Sequence, residues 1–381
     1  MTIQFSVVGL AVAALLTAAV VSLISTPVVR SLAFRVGAVD VPKDNRRMHK
    51  HPIPRMGGLA IFFGFILSVL LFVPLTQQLR TMLLGAVVIV ILGIFDDIYA
   101  LPAMPKFMIQ IAAALVAVLG GNRIFGLSNI NIFSSDPYWE LGWLSIPISV
   151  LWIVGITNAV NLIDGLDGLA CGVSTISSMT LLVIALIMAE PDVAMITAAL
   201  AGACLGFLPY NLNPARIFMG DTGSTVLGYI LAVVSIQGLF KFYTFISFAA
   251  PFLMLGLPIF DTCFAILRRL AKGQSPMAPD RGHIHHRLID MGFSQKQAVA
   301  MLYVISAILG LSAVVLTTIG AVRAMLFLLA LCVAGALAGK LYLDHNNNGG
   351  GQNSSRPASP PSRTQIAGND NFFGEEDRSE K

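Results

Sequence analysis

N-A-V-N-L-I-D-G-L-D-G-L, residues 158–169, closes a long apolar segment that runs from Ile146 to Val160. Two amides and two carboxylates at such a helix end are costly in lipid unless they face water, a metal or a partner. Asn158, Asn161 and Asp164 stand three apart, so on a continuing helix they share one face. Gly165 and Gly168 let the backbone bend and come close to a ligand. Asn or Asp before Gly is also ordinary turn chemistry at a capped helix end. Four such groups within ten residues of so apolar a chain point instead to half of a polar site. The other half must come from elsewhere in the chain.

The surroundings decide the fold class. Of 381 residues, 56% are hydrophobic and 12% charged, and mean hydropathy is +0.79; soluble domains carry about 25% charged residues. The apolar residues fall in long runs, as in helices apolar all round, and no alternating ten-residue strands recur as in a membrane barrel. The chain reads as an all-α polytopic membrane protein. Eleven apolar stretches are candidate transmembrane helices, among them Phe5–Val29, Tyr243–Leu267 and Ala324–Leu343. The first has no basic residue before it, so it reads as a retained helix rather than a cleaved signal. Arg30, Arg35, Lys43, Arg46, Arg47, Lys50 and Arg55 follow it and mark a cytoplasmic segment. Alternation from there puts the N-terminus outside and the C-terminus inside. Residues 120–145 form the longest outside loop, where loose alternation suggests a small external β-hairpin. Residues 1–344 form one transmembrane catalytic domain. Residues 345–381 are low in complexity and read as a disordered cytoplasmic tail. The four cysteines stand singly in apolar surroundings and read as small buried hydrophobes.

The same alternation gathers every conspicuous polar cluster on the cytoplasmic face. Asp96-Asp97 closes the third span, and residues 158–167 close the fifth. N-L-N-P-A-R-I-F-M-G-D-T-G-S (211–224) joins the seventh to the eighth, and P-D-R-G-H-I-H-H-R (279–287) joins the ninth to the tenth. The paired acids are either a solvated helix end or ligands for a hard cation, since Mg²⁺ takes one or two carboxylates with waters and phosphates. Asp221 is an N-cap, a metal ligand beside a phosphate-attracting helix start, or both. Phe218 can stack on a base or simply pack. His283, His285 and His286 come without cysteine, and with Arg281 and Arg287 they suit phosphate better than zinc. Carboxylates for a metal, cations for a diphosphate and a bilayer suggest phosphoryl transfer involving a lipid.

These residues resemble the polyprenyl-phosphate N-acetylhexosamine-1-phosphate transferases. Five ordered motifs carry the likeness, from about Lys43 to Gly292: P-R-M-G-G at 54–58, Asp96-Asp97, N-x-x-N-x-x-D-G-x-D-G-L, F-M-G-D-T-G-S and H-I-H-H-R. The resemblance implies transfer of a sugar 1-phosphate from a UDP-sugar to undecaprenyl phosphate, with release of UMP and with Mg²⁺ or Mn²⁺ as cofactor. It implies a bacterial cytoplasmic membrane location with a cytoplasmic active site. The partners implied are the two substrates and the bilayer, with a homodimer allowed and no nucleic acid. Carried over by motif, Asp221 is the main metal ligand, with Asp96 and Asp97 near the metal and the lipid phosphate. Asn158, Asn161 and Asp164 fall at the uridine diphosphate end, with Asp167 and Phe218 near the base. Lys50 and Asn211 are polar substrate contacts, and His283, His285, His286 and Arg287 meet the diphosphate.

Two branches of the family differ in the last loop. The peptidoglycan branch, which uses a MurNAc-pentapeptide donor, usually shows three consecutive His. Here Ile284 interrupts them and Arg287 follows, a form similar to the GlcNAc-1-phosphate branch that starts O-antigen, common antigen or teichoic acid. Direct attack by the lipid phosphate and a covalent aspartate intermediate both fit. An ion-coupled transporter would place its acids at midmembrane between two related halves, and no halves are alike here. A CDP-alcohol phosphotransferase would carry an Arg soon after the first D-G, and residues 164–173 hold none.

Overall fold

A computed structural model describes residues 2–41, 51–128, 138–238, 245–274, 282–319, 326, 327 and 329. Among them, six helices carry stretches long and apolar enough to cross a membrane. They are α1 (Thr2–Val36), α3 (Gln77–Tyr99), α5 (Ser145–Leu162), α6 (Leu169–Ile187), α7 (Pro191–Asn211) and α12 (Gln295–Ile319). Helices α2 (Gly58–Phe72) and α4 (Ala103–Leu119) are apolar but shorter. The protein is a polytopic helical membrane protein. Lys50, Arg281, the tail and the 344/345 domain boundary lie outside the described residues.

Helix α8 (Gly220–Gly238) sits at the centre. Every residue from Thr222 to Gly238 is buried, against α2, α3, α5 and α6. Small residues make this possible. A Cβ on Gly58 would lie 2.0 Å from the Gly223 Cα, so α2 and α8 cross backbone to backbone, a contact only glycine allows. Polar groups on α8 find partners within the bundle. Trp152 Nε1 donates to Ser235 at 3.1 Å, and Gln237 Nε2 donates to Asn122 at 2.6 Å.

The ends of the helices alternate. Asp96 near the C-terminus of α3, Asn161 near that of α5 and Asn211 at that of α7 share one end of the bundle with the N-termini of α4, α6 and α8, as the contacts and the common cavity described below require. The up-and-down order therefore brings distant polar segments together, as alternation of apolar stretches predicts.

The ninth apolar stretch departs from a single span. It divides into α9 (Phe245–Met254) and α10 (Gly256–Ala271) at Leu255. Pro258 falls in the first turn of α10, where a missing N–H costs nothing, so it starts a helix instead of breaking one. Along α10, Asp261, Ala265 and Arg269 face inward, while Phe260, Phe264 and Leu267 are exposed. That is the reverse of a water-soluble amphipathic helix and suits an apolar surround.

Two small antiparallel pairs complete the described architecture. Strand β1 (Val39–Asp40) pairs with β2 (Ile53–Pro54), which leads into α2. Strand β3 (Gly126–Ser128) pairs with β4 (Tyr138–Glu140), in register Leu127 with Trp139. These strands belong to the loop expected to carry a hairpin; the residues that join them lie outside the described set. A short helix, α11 (Ile284–Asp290), precedes α12.

Candidate active site

The first amides of a helix have no partner within it. At the start of α8 they are met from another helix. Asp97 of α3 accepts from the Asp221 amide at 2.9 Å, the Thr222 amide at 3.1 Å and the Thr222 hydroxyl at 2.6 Å. The capping that the sequence suggested for Asp221 thus belongs to Asp97, and the Asp221 carboxylate is left to face outward. Its Oδ1 accepts from Asn161 Nδ2 at 3.0 Å, and its Oδ2 lies 3.5 Å from Lys106 Nζ. Lys106 also meets Asp96 Oδ2 at 2.7 Å. The Asn161 amide in turn reaches Ser224 Oγ at 2.8 Å. Four helices, α3, α4, α5 and α8, each contribute one or more groups to this cluster.

The F-M-G segment is held by the P-R-M-G-G segment through the backbone. Phe218 N donates to Pro54 O, Gly57 N to Phe218 O and Gly58 N to Met219 O, at 2.9, 3.0 and 2.9 Å. Two motifs far apart in sequence are thus one structural unit.

A cavity of about 890 Å³ opens beside it, lined by Asn161, Asp164, Asp167, Asn211, Phe218, Asp221 and His286 among others. The remaining expected residues stand elsewhere. Asn158 donates to Gln110 Oε1 at 2.7 Å and ties α5 to α4. His283 and His285 are buried, and exposed Arg287 packs over the Phe264 ring at 6.0 Å. Asp167 braces a turn, accepting from Asn213 Nδ2 at 2.8 Å and the Ala215 amide at 3.1 Å. Asn211 donates to Ile217 O at 3.1 Å, while its buried Oδ1 has no partner among the described residues.

Sequence reasoning missed the cationic wall. Arg30, His51, Arg55 and Arg216 line the same cavity. Arg55 pairs with Asp40 at 3.2 Å, and Arg30 Nε donates to the Arg216 carbonyl at 3.1 Å. Arg55 stands inside the quoted P-R-M-G-G, Arg30 serves in the sequence only to mark the cytoplasmic segment, and Lys106 falls in no motif. The signal was there in residue type, but nothing in the spacing tied these cations to the acids.

Burial, reinforced by Asp221 and Asp97 nearby, pushes the Asp164 carboxyl up to about 8. Burial also lowers the His285 imidazole from 6.5 to about 4, with neighbouring His286 adding to the shift. His285 is only 3% exposed, so this shift has a stability consequence. The unfolded imidazole takes up its proton at a higher pH than the folded one. Stability therefore falls as pH drops from 6.5 toward 4, by about 2 kcal/mol between pH 7 and pH 5. Asp164, whose raised carboxyl acts in the opposite sense over the same range, is common to both proteins, so the comparison with His285→Gln isolates the imidazole. Thermal unfolding should show the native protein losing about 2 kcal/mol relative to the variant between pH 7 and pH 5.

Among the described residues, no three His, Cys, Asp or Glu side chains form a metal cage. A hard divalent ion does not need one, because phosphate oxygens and water complete its shell. Asp221, with its side chain 36% exposed, fits such an ion as an oxygen donor, whereas buried Asp96 already accepts from the Leu101 amide at 2.8 Å and from Lys106 at 2.7 Å. Asp97 spends its oxygens on α8.

A sequence profile for glycosyl transferase family 4 matches residues 79–239. A probable undecaprenyl-phosphate N-acetylglucosaminyl 1-phosphate transferase of Bacillus subtilis is 46% identical over 299 residues, covering 77% of this chain and 81% of that protein. The chain belongs to glycosyl transferase family 4. As a family 4 glycosyl transferase it is also 36% identical to the decaprenyl-phosphate N-acetylglucosaminephosphotransferase of Mycolicibacterium smegmatis, over 76% of this chain and 77% of that one. It is 32% identical to the phospho-N-acetylmuramoyl-pentapeptide-transferase of Moorella thermoacetica, over 80% of this chain and 98% of that one. The family 4 profile spans the acid–lysine cluster of α3, α4, α5 and α8 and ends before α10 and α11.

Proposed function

We propose that this family 4 glycosyl transferase moves GlcNAc-1-phosphate from UDP-GlcNAc to undecaprenyl phosphate, giving undecaprenyl-diphosphate-GlcNAc and UMP. The observation that carries this reading is the Asp221 carboxylate, relieved of capping by Asp97 and set beside Lys106 at a cavity with an arginine-bearing wall.

The lipid phosphate is mostly dianionic at neutral pH, since its second pKa is about 6, so no base has to activate it. One of its oxygens forms a bond to the β-phosphorus as the bond from that phosphorus to the bridging oxygen breaks, and the electron pair leaves with UMP. The main barrier is bringing two anions together. Arg55, Arg30 and His286 bind and orient the diphosphate, and Lys106 offsets charge between Asp96 and Asp221. Mg²⁺, or Mn²⁺ in its place, held by Asp221, would neutralise charge building on the phosphate oxygens. Phe218 offers a face to the uracil.

Under this reading α2, α4, α8, the α9–α10 pair and the eleventh apolar stretch join the six long helices as spans. The reading puts the cavity on the cytoplasmic face, which the arginines lining it favour. The GlcNAc donor is favoured by the higher identity to the relative named for it and by Ile284 and Arg287 in the H-I-H-H-R loop. Purified protein with undecaprenyl phosphate and Mg²⁺ should release UMP from UDP-GlcNAc and little from UDP-MurNAc-pentapeptide. Preference for the pentapeptide donor would overturn the donor assignment; no UMP from either would overturn the transferase reading.

A further inference from the structure

Asp261 lies outside every quoted motif. It is the one acidic residue on α10 and is 3% exposed. Its Oδ2 accepts from His283 Nδ1 at 2.9 Å, and its Oδ1 from the Ile284 amide at 2.8 Å. A carboxylate only accepts, so the Nδ1 proton lies on His283. One side chain thus fastens the start of α11 to the inward stripe of α10.

From His283 the imidazoles run in series toward the cavity. The His283 and His285 rings lie 5.7 Å apart with 10° between their planes, and His285 and His286 lie 4.3 Å apart with 43°. Only the last ring lines the cavity. The middle ring supports the opening motif. A Cβ on Gly165 would stand 2.2 Å from His285 Nε2, so only glycine lets the D-G-L-D-G loop settle onto this ring. Asp164, which precedes that glycine, lines the same cavity.

We propose that Asp261 is a positioning residue: it sets the order of three imidazoles that places His286 in the cavity and seats the Gly165 loop, with Asp164, on His285. Fixed rotamers and a buried charge-assisted hydrogen bond are how a supporting side chain holds a binding group in place. The part played by His286 rests on the transferase reading; the placement of the rings does not.

Two measurements on the full-length protein in detergent test this separately. Diethyl pyrocarbonate labelling, read residue by residue by mass spectrometry, should mark His286 and spare His283 and His285. Asp261→Asn should raise labelling of the two buried rings by about tenfold or more, because their protection reflects local opening. UMP release, measured well below the unfolding temperature, should fall about tenfold to a hundredfold in Asp261→Asn, a loss of the size seen when a supporting partner is removed. Combined with His286→Ala, the loss should be smaller than the product of the two single losses, since both changes remove the same placement. His283→Asn keeps a donor where Nδ1 sits and should stay near native in His285 labelling, whereas His283→Gln should not. Unchanged labelling in Asp261→Asn, multiplicative losses, or equal behaviour of the two His283 variants would overturn the assignment. A native protein that releases no UMP would strike the transferase reading alone, with the labelling still deciding the role of Asp261.

Discussion

Asp221→Asn is expected to cut UMP release by about a thousandfold or more while the protein folds normally, because the carboxylate proposed to hold the metal is replaced by a neutral amide of the same shape. The oxygen that accepts from Asn161 survives the change. The backbone amide of residue 221 still donates to Asp97. What disappears is the charge facing Lys106 and the cavity. That ion pair is partly exposed, at 29% and 36%, so its removal costs little stability. Raising Mg²⁺ should recover only part of the rate. Near-normal turnover at saturating Mg²⁺, with an unchanged unfolding temperature, would remove Asp221 from the centre of the chemistry.

Asp97→Ala is expected to act through the fold and the site together. It strips the acceptor from two backbone amides and a hydroxyl at the start of a helix that is buried from Thr222 onward. Unsatisfied buried donors cost about 1–3 kcal/mol each, so a loss of roughly 3–5 kcal/mol follows. Turnover should also fall, because the first turn of α8 sets the direction of Asp221. Asp97→Asn restores one acceptor oxygen and places an amide NH₂ against the other donors, so it should fall between the native protein and Asp97→Ala. Thermal unfolding in detergent checks the order. An Asp97→Ala protein as stable as the native one would mean that α8 is capped by something else.

The two aspartates of D-D show how far sequence carried the site. Adjacent acids at the end of an apolar run announced a polar site, and alternation of the spans put them beside the other clusters. Their division of labour was not legible. On a helix adjacent residues point about 100° apart, so one turned to Lys106 and the other to α8; which did which depends on how α3 and α8 pack. The same reason hid Arg55 and Lys106, whose type was visible and whose neighbours were not. The three histidines looked like one cationic group because they are close in sequence. In the fold two are buried, and of the three only His286 lines the cavity. The break in the ninth stretch was carried by Gly256 and Pro258, two ordinary residues in membrane helices, whose effect came from falling at the start of a turn.

The central place of α8 has a consequence for how the protein is made. A ribosome delivers α1 through α7 before it delivers α8. Until then the Asp97 carboxylate, 8% exposed in the finished bundle, lacks the Thr222 hydroxyl and the two amides that later surround it. During synthesis it must wait at the edge of the bilayer, solvated or protonated, for a partner still in the exit tunnel. A nascent chain that stops before residue 220 already holds five of the six long apolar helices, enough to be inserted. It has no closed acid cluster, because the donors that Asp97 needs all lie beyond the break.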